Sequence, residues 1–448
     1  MLKATTFLLF AGDIAVFVGG LFVALMIRYR QVPEAAVLTE HLIAFSGIFV
    51  LWAVVFLIAG LYDTKVNFSR KLIPGIVLRA QVVNLALAAF VFFVFPVGIT
   101  PKVTLAIYLV VTTLLVVWWR LFGFPLFVTK RTERALIVGS GGEAKGLAHI
   151  LNEGRFFKFV VAEIVDPHAY PNRAALEVAL RAYIAEHTVT MIIGDMHGEQ
   201  SEVLVPVFYE LAMAHEGVSF LSLHALYEQI FHRIPPSSVR ESWVLENISL
   251  VPHTFDDILK RGFDIVVACF LGVVVAPLFP LIIFAINSEG GGAIFYKTER
   301  VGRFGKPIYI RKFRTMNGSD VGTEALKSTL TVTRVGKFLR RTRLDELPQI
   351  LNVLRGDLSF IGPRPEMPAL VSVYTREIPH YAMRHLIKPG LSGWAQINDF
   401  DVPRSGVDVE RTIAKLSFDL YYLKRRSFFL DMEIALKTLK ALIMRSGT

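Results

Sequence analysis

Cysteine is almost absent. One residue, Cys269, serves all 448 positions, which excludes an internal disulfide and a cysteine-ligated metal cluster and fits a cytosol-facing protein. Acids are also in short supply, with 38 Asp and Glu against 48 Lys and Arg and a formal net charge of +10. No zinc-finger or RNA-binding signature accompanies the basic excess, so nucleic acid is not an expected partner. Anionic lipid headgroups and phosphorylated substrates are. A Tyr-x-x-x-Lys pair is missing: none of the 13 tyrosines has lysine four residues later. This weighs against a membrane-anchored NAD-dependent oxidoreductase or dehydratase, the alternative reading of the chain, while leaving other dehydrogenase chemistries open. No small-residue cleavage site ends the first apolar stretch, so that stretch is read as a retained span and not as a signal peptide.

What is abundant is apolar. Hydrophobic residues make up 53% of the chain and the mean hydropathy is +0.50, too apolar for an ordinary soluble protein. Four runs, Thr5–Met26, Leu42–Leu61, Val77–Val97 and Val103–Val128, each have the ~20 residues that a bilayer-spanning helix needs. Lys65, Arg70, Lys71 and Arg79 fill the loop after the second run, and Lys130, Arg131 and Arg134 follow the fourth. That bias places the amino terminus, the second loop and everything after the fourth run in the cytoplasm. Asp13, inside the first run, is either a functional intramembrane acid or an acid paired within the bundle.

From Arg134 the composition becomes that of an α/β domain. "RALIVGSGGEAKGLAHIL" reads as strand, glycine turn and helix, and Gly139, Gly141 and Ala144 fit G-x-G-x-x-A. Glu163 and Asp166 stand where a ribose-binding acid would be. A lone glycine loop is a weak signal, so this domain is either a dinucleotide site or a Rossmann-like structural or regulatory unit. The organisation read from the chain is a four-helix membrane domain at 1–130, a Rossmann-like domain at 131–225, a linker at 226–256 marked by Pro235 and Pro236, and an α/β membrane-associated domain at 257–448.

A fifth apolar run, Ile265–Ile286, is interrupted by Pro277 and Pro280 and followed by a Lys- and Arg-rich segment. Interior prolines break helix hydrogen bonds, and basic segments resist translocation. A re-entrant helix over 262–286 satisfies both facts; a kinked fifth span is the other reading. Lys260 and Arg261 would sit at the headgroups, with Asp264 close below them and in need of a partner.

Beyond it, Pro307–Thr315 alternates like a strand, which puts Lys312 and Arg314 on one face, either a solvated strand face, the plainer reading of this stretch alone, or a row of cations suited to a diphosphate. Next comes "RTRLDELPQILNVLRGDLSFIGPRPE", with Asp345 and Glu346 between Arg340, Arg341 and Arg343 on one side and Arg364 in a Gly-Pro-Arg-Pro turn on the other. A helix start with Asp345 as cap and Glu346 in solvent is the plain reading. A phosphate-handling site is the other, since adjacent carboxylates can hold Mg²⁺ with substrate phosphates, and one can act as a nucleophile. Trp394, in "KPGLSGWAQIN", either walls a pocket or is a core or interfacial residue, and the terminal "KLSFDLYYLKRRSFFLDMEIALKTLKALIM" has the composition of amphipathic helices lying on a membrane.

In order, "KRGFD", "KFRTM", "LDELPQILNVLRGDLSFIGPRPE", "KPGLSGWAQIN" and "KLSFDLYYLK" resemble the bacterial sugar transferase family, the polyprenyl-phosphate hexose-1-phosphate transferases, also called monotopic phosphoglycosyl transferases. The resemblance covers Ile258 to the end, and the upstream organisation looks like the long form of the family. It implies a bacterial inner-membrane enzyme that takes a sugar-1-phosphate from a UDP-sugar to polyprenyl phosphate and releases UMP, with its catalytic domain facing the cytoplasm. Asp345 would be the nucleophile, Glu346 would assist Mg²⁺ or proton handling, and both are the metal candidates. Arg300, Lys312, Arg314, Arg343, Arg364 and Lys388 are the candidates for the donor's phosphates and nucleotide. The expected partners are the UDP-sugar, polyprenyl phosphate and the lipid bilayer, with a homo-oligomer open. Lys297, Ser392 and Asp399 depart from the family pattern, where glutamine, threonine and glycine are common.

Overall fold

The computed structural model describes residues 2–62, 73–94, 102–127, 133–153, 159–196, 201–214, 218–248, 254–290, 292–317, 331–398 and 407–444. Lys65, Arg70, Lys71, Lys130, Arg131 and Asp399 lie outside them. The chain divides into two compact units, Met1–Leu223 and His224–Thr448.

The first unit opens with α1 (Leu2–Tyr29), α2 (Ala35–Ile58), α3 (Ile73–Val94) and α4 (Lys102–Trp118). The first three, and α4 together with its continuation to Phe127, are long and apolar enough to cross a membrane. Their inner faces are aromatic: Trp52 stacks on Tyr108 at 5.3 Å, and Phe17 meets Trp52 edge-on at 5.6 Å. Leu57, Ile58, Phe90 and Phe93 face outward, the arrangement expected when lipid replaces water as solvent. Asp13 is fully buried and paired with Arg120, whose Nη1 also donates to Leu61 O at 2.7 Å. Of its two readings, the structure gives the paired acid. Arg120 reaches inward from a π turn, Trp119–Gly123, that continues α4 into the short α5 (Phe124–Phe127).

The same unit contains β1 (Glu133–Val138), α6 (Gly141–Glu153), β2 (Phe159–Val165), α7 (Arg173–His187), β3 (Met191–Gly194), α8 (Ser201–Ala214) and β4 (Ser219–Ser222). The strands form one parallel sheet in the order β2-β1-β3-β4. The glycine loop lies between β1 and α6, with Gly141 at φ +88° and Ala144 buried. Asp166 accepts from His168 N at 3.0 Å and so caps its own turn.

The second unit begins at His224, inside α9 (Leu223–Phe231), and continues with α10 (Glu241–Asn247). The expected linker at 226–256 is, over its described residues, part of the fold. Ile234 and Ile248 are buried in a core with Tyr381 and Leu420, and Glu228 pairs with Lys424 at 2.6 Å and Arg425 at 2.9 Å. The two prolines mark a turn inside the unit, not a tether.

Next come α11 (Thr254–Val275) and α12 (Leu278–Ser288), which meet at a 61° bend. Pro277 stands at the break and Pro280 in the first turn of α12, where a missing N–H costs nothing. Then follow β5 (Phe295–Val301), β6 (Pro307–Phe313), β7 (Met316–Asn317), β8 (Thr331–Val332), α13 (Arg334–Thr342), a 3₁₀ turn (Leu344–Gln349), α14 (Ile350–Arg355), β9 (Ser359–Ile361), α15 (Pro368–Glu377), a second 3₁₀ turn (Tyr381–Leu386), β10 (Gly390–Ser392), α16 (Trp394–Asn398), α17 (Val409–Arg425) and α18 (Phe428–Met444). Strands β5 and β6 are antiparallel, and β9 and β10 parallel.

One open reading is decided here and one expectation changes. Trp394 is a core residue, 3% exposed, stacked on Tyr421 and donating to His232 O at 2.7 Å. Helix α17 does not lie on a surface: it buries Thr412, Lys415, Leu416, Asp419 and Leu420. Its inward stripe is partly charged, so its outline in sequence mimics that of an interfacial helix.

Candidate active site

Three elements hold the carboxylate pair. The β5–β6 hairpin sets Tyr296 opposite Lys312, Thr298 opposite Ile310 and Arg300 opposite Ile308. Residues directly opposite share a face, so Arg300 and Lys312 lie on the face whose Ile310 packs with Ile350, Val353 and Leu358. Asn352 ties this strand to α14, donating to Tyr309 O at 2.8 Å. Helix α13 approaches the end of the strand closely. A Cβ on Gly336 would lie 2.0 Å from Thr315 O, so only glycine permits the contact. The third element is the 3₁₀ turn, entered through Arg343 at φ +56°, a left-handed conformation that costs a non-glycine residue about 1–2 kcal/mol.

Within that turn Asp345 is 8% exposed and caps nothing. Glu346 Oε1 accepts from Lys312 Nζ at 2.6 Å, and Arg364 Nη2 approaches the same oxygen at 3.9 Å. The two acids therefore part in character. Burial, followed by the charge of Glu346, pushes Asp345 up, against Lys312 and Arg340. Burial also disfavours an ionised Glu346, but Lys312 and Arg364 outweigh it and hold that carboxyl below its usual range. One acid is anchored by cations that favour its ionised form, and its neighbour is a less exposed carboxylate without an ion pair among the described residues. Arg300 belongs to the same neighbourhood: burial, then the charge of Arg364, lowers its pKa.

Other expected residues lie elsewhere. The row of two cations on one strand face does not form. Strand β6 ends at Phe313, and Arg314 turns to the end of α12, donating to Gly290 O at 2.7 Å and Ile286 O at 3.3 Å. Lys260, Arg261 and Asp264, expected at and just below the headgroups, each have partners within the domain. Lys260 pairs with Asp431 at 2.7 Å, Arg261 donates to Val353 O and Leu354 O at 2.7 Å each, and Asp264 accepts from Ser359 Oγ at 3.1 Å and Phe360 N at 3.0 Å. They fasten α11 to the domain, because three unpaired charges on a helix packed against it would otherwise be desolvated alone. Lys388 lies beside Arg261 and Arg303, away from the pair.

Sequence reasoning missed a buried cluster behind Arg364. Glu366 pairs with Arg384 at 2.7 Å, with Lys415 and with the Tyr381 hydroxyl, and Arg384 pairs with Asp419 at 2.8 Å. Arg384 Nη2 also donates to Arg364 O at 3.1 Å, holding the Gly-Pro-Arg-Pro turn from behind. Glu366 closed the quoted motif and was the one available signal. Its partners come from two helical turns further on and read as solvated faces.

A family model described as bacterial sugar transferase matches residues 255–445, the region that carries this site. A UDP-glucose:undecaprenyl-phosphate glucose-1-phosphate transferase from Caulobacter vibrioides is 39% identical over 198 residues, 43% of this chain and 73% of the relative. The chain belongs to the bacterial sugar transferase family. A UDP-N-acetylgalactosamine-undecaprenyl-phosphate N-acetylgalactosaminephosphotransferase from Aeromonas hydrophila is 40% identical over 206 residues, and the chain spans 47% of its length. Similarity to the undecaprenyl-phosphate galactose phosphotransferase of Salmonella typhimurium, 29% over 346 residues, takes in 70% of the chain and so extends upstream of the sugar transferase region.

Proposed function

We propose that this chain transfers a sugar-1-phosphate from a UDP-sugar to a polyprenyl phosphate and releases UMP, at the cytoplasmic face of a bacterial inner membrane, as the first step of assembling an exopolysaccharide or related glycan. The observation that carries the reading is the divided character of Asp345 and Glu346 on a cation-lined turn. The activities for which the relatives are named support the same reaction class.

In the first step an Asp345 carboxylate oxygen attacks the phosphorus that bears the sugar. The P–O bond to UMP breaks, UMP leaves with that electron pair, and an acyl phosphate remains on Asp345. In the second, a phosphate oxygen of the polyprenyl acceptor attacks the same phosphorus and frees the carboxylate. Poor solvation of Asp345 raises its nucleophilicity, and Lys312, Arg364 and Arg300 meet the donor's charge without reorganising. Ionised Glu346 keeps Lys312 and Arg364 in place. The donor set fits Mg²⁺, which takes one or two carboxylates plus substrate phosphates, because Asp345 and Glu346 are adjacent and Asp345 has no competing ion pair among the described residues. When bound, the ion would neutralise charge on the diphosphate oxygens.

The bent pair α11 and α12 is read as re-entrant, keeping the site on the side where nucleotide sugars are found. Outward-facing Val266, Phe270, Val273, Leu281 and Phe284 support its contact with lipid. The parallel sheet of the first unit is read as a Rossmann-like scaffold. The test is to incubate the protein with UDP-sugar labelled in the sugar, without acceptor. Label is expected to stay on the protein, and Asp345→Asn is expected to abolish it and to lower turnover on the order of 10³-fold or more. A fully active enzyme that never retains label would sink the covalent route in favour of direct transfer.

A further inference from the structure

Three cations meet where α11 packs on the carboxyl end of α14. Arg261 is fixed there by the Val353 and Leu354 carbonyls, and Arg303 Nε donates to Leu386 O at 3.2 Å. Lys388, two residues after Leu386, completes the group, and no acceptor among the described residues takes a hydrogen bond from its Nζ. A methyl on Gly356 would lie 3.5 Å from Lys388 Nζ and 3.7 Å from the Arg261 guanidinium carbon. The bare Cα of Gly356, held at φ +89°, therefore leaves a gap of methyl size flanked by two cationic heads.

None of the three cations forms an ion pair with an acid among the described residues, although Asp264 and Asp257 act on Lys388 through charge. The partners of Arg261 and Arg303 are neutral carbonyls. Of the nearby acids, Asp257 faces Arg426 at 3.3 Å and Asp264 is engaged by Ser359 and Phe360. Burial, then Arg261 and Arg303, depresses the pKa of Lys388, the mark of a cation among cations. An anion in the gap would relieve all three. It would not be the phosphate that Asp345 reaches. The helical segment from Asp345 to Gly356 rises roughly 15–20 Å, and the cations acting on the acidic pair are Lys312, Arg340, Arg343 and Arg364.

The gap lies at the start of the apolar face of α11: Arg261 is one turn before exposed Ile265 and Val266. Phe304, beside Arg303, is 62% exposed and held at φ +57° at the tip of the β5–β6 turn. An exposed aromatic next to basic side chains is the composition of a membrane interface.

We propose that Lys388, Arg261 and Arg303 form a second anion site, separate from the carboxylate pair, which takes the phosphate of a membrane lipid. This rests on the reading that α11 enters the bilayer, and not on the transfer reaction.

The test places the full-length protein in nanodiscs of phosphatidylcholine doped with phosphatidylglycerol, extracts it gently, and reads retained lipid by native mass spectrometry. Lys388→Gln is expected to retain about fivefold less phosphatidylglycerol, with Lys388→Arg close to the parent. Equal retention by all three proteins overturns the proposal. Competition arms identify the source of the phosphate. Displacement by polyprenyl monophosphate supports a lipid phosphate and assigns it to the acceptor, whereas displacement by inorganic phosphate alone overturns the lipid assignment. A raised KM for UDP-sugar in Lys388→Gln with lipid retention unchanged returns Lys388 to the donor and also overturns it. Lipid retention needs no turnover, so failure of the transferase reading would leave this readout standing. Cys269, the one thiol of the chain and exposed on α11, checks membrane entry separately. Protection from a water-soluble maleimide in nanodiscs is expected, and full reaction would remove the premise.

Discussion

At the scale of single residues, what matters is which cation faces which acid. Lys312 contacts Glu346 and, through charge, steadies Asp345 as well. If Asp345 must be ionised to attack, its raised pKa places the acid limb of kcat/KM above pH 3.8, its ordinary value. Lys312→Met removes a charge that favours ionisation, so the limb is expected to move to higher pH. The lost charge-assisted hydrogen bond should cost roughly 10- to 100-fold in kcat/KM at neutral pH. A pH–rate profile that does not move would separate Lys312 from the pair's titration. Asp345 and Glu346 could be singled out from the chain because they are contiguous and flanked by arginines. Arg314 could not be sorted from Lys312 the same way, since both fit one alternating pattern and only the end of β6 at Phe313 separates them.

At the scale of elements, a buried charge cluster joins the turn carrying Arg364 to α17. Burial opposes ionisation of Glu366, but Arg384 and Lys415 outweigh it and hold its carboxyl well below the usual range. A carboxylate with a depressed folded pKa contributes stability that is present above its unfolded pKa, near 4.5, and fades as pH falls toward the folded value. Glu366→Gln leaves Arg384 and Lys415 with fewer counter-charges, and is expected to cost about 3–5 kcal/mol at neutral pH. It should also flatten the acid dependence of unfolding below pH 4.5. Denaturant unfolding followed across pH reads both effects; an unchanged acid slope would show that Glu366 is not the group lost. These partners span positions 366 to 419. Each sits in a local pattern that looks like the polar side of a helix, so nothing within a short window marks it as buried.

At the scale of the whole molecule, the membrane helices and the sugar transferase unit obey different solvent rules. In the bundle, Arg120 from the π turn closes onto Asp13 of α1 and the carboxyl end of α2, joining three helices with one side chain. Arg120→Leu strands the acid and is expected to destabilise the bundle by about 3–5 kcal/mol, while Asp13→Asn with Arg120→Leu should recover most of the loss. Thermal unfolding of the detergent-solubilised protein reads both. Equal melting of parent and single variant would mean that water reaches the pair.

The amino-acid sequence alone determined that four segments are long and apolar enough to span a bilayer, that a proline-broken fifth follows, and that an acidic doublet stands among arginines. Length, hydropathy and contiguous motifs are local and additive, so a linear reading captures them. Only the tertiary structure decided which charges face the doublet, which fasten α11 and which surround the gap at Gly356. A charged side chain acquires its role from its partner, and here the partners are brought together by packing across tens to more than a hundred residues, as with Lys260 and Asp431.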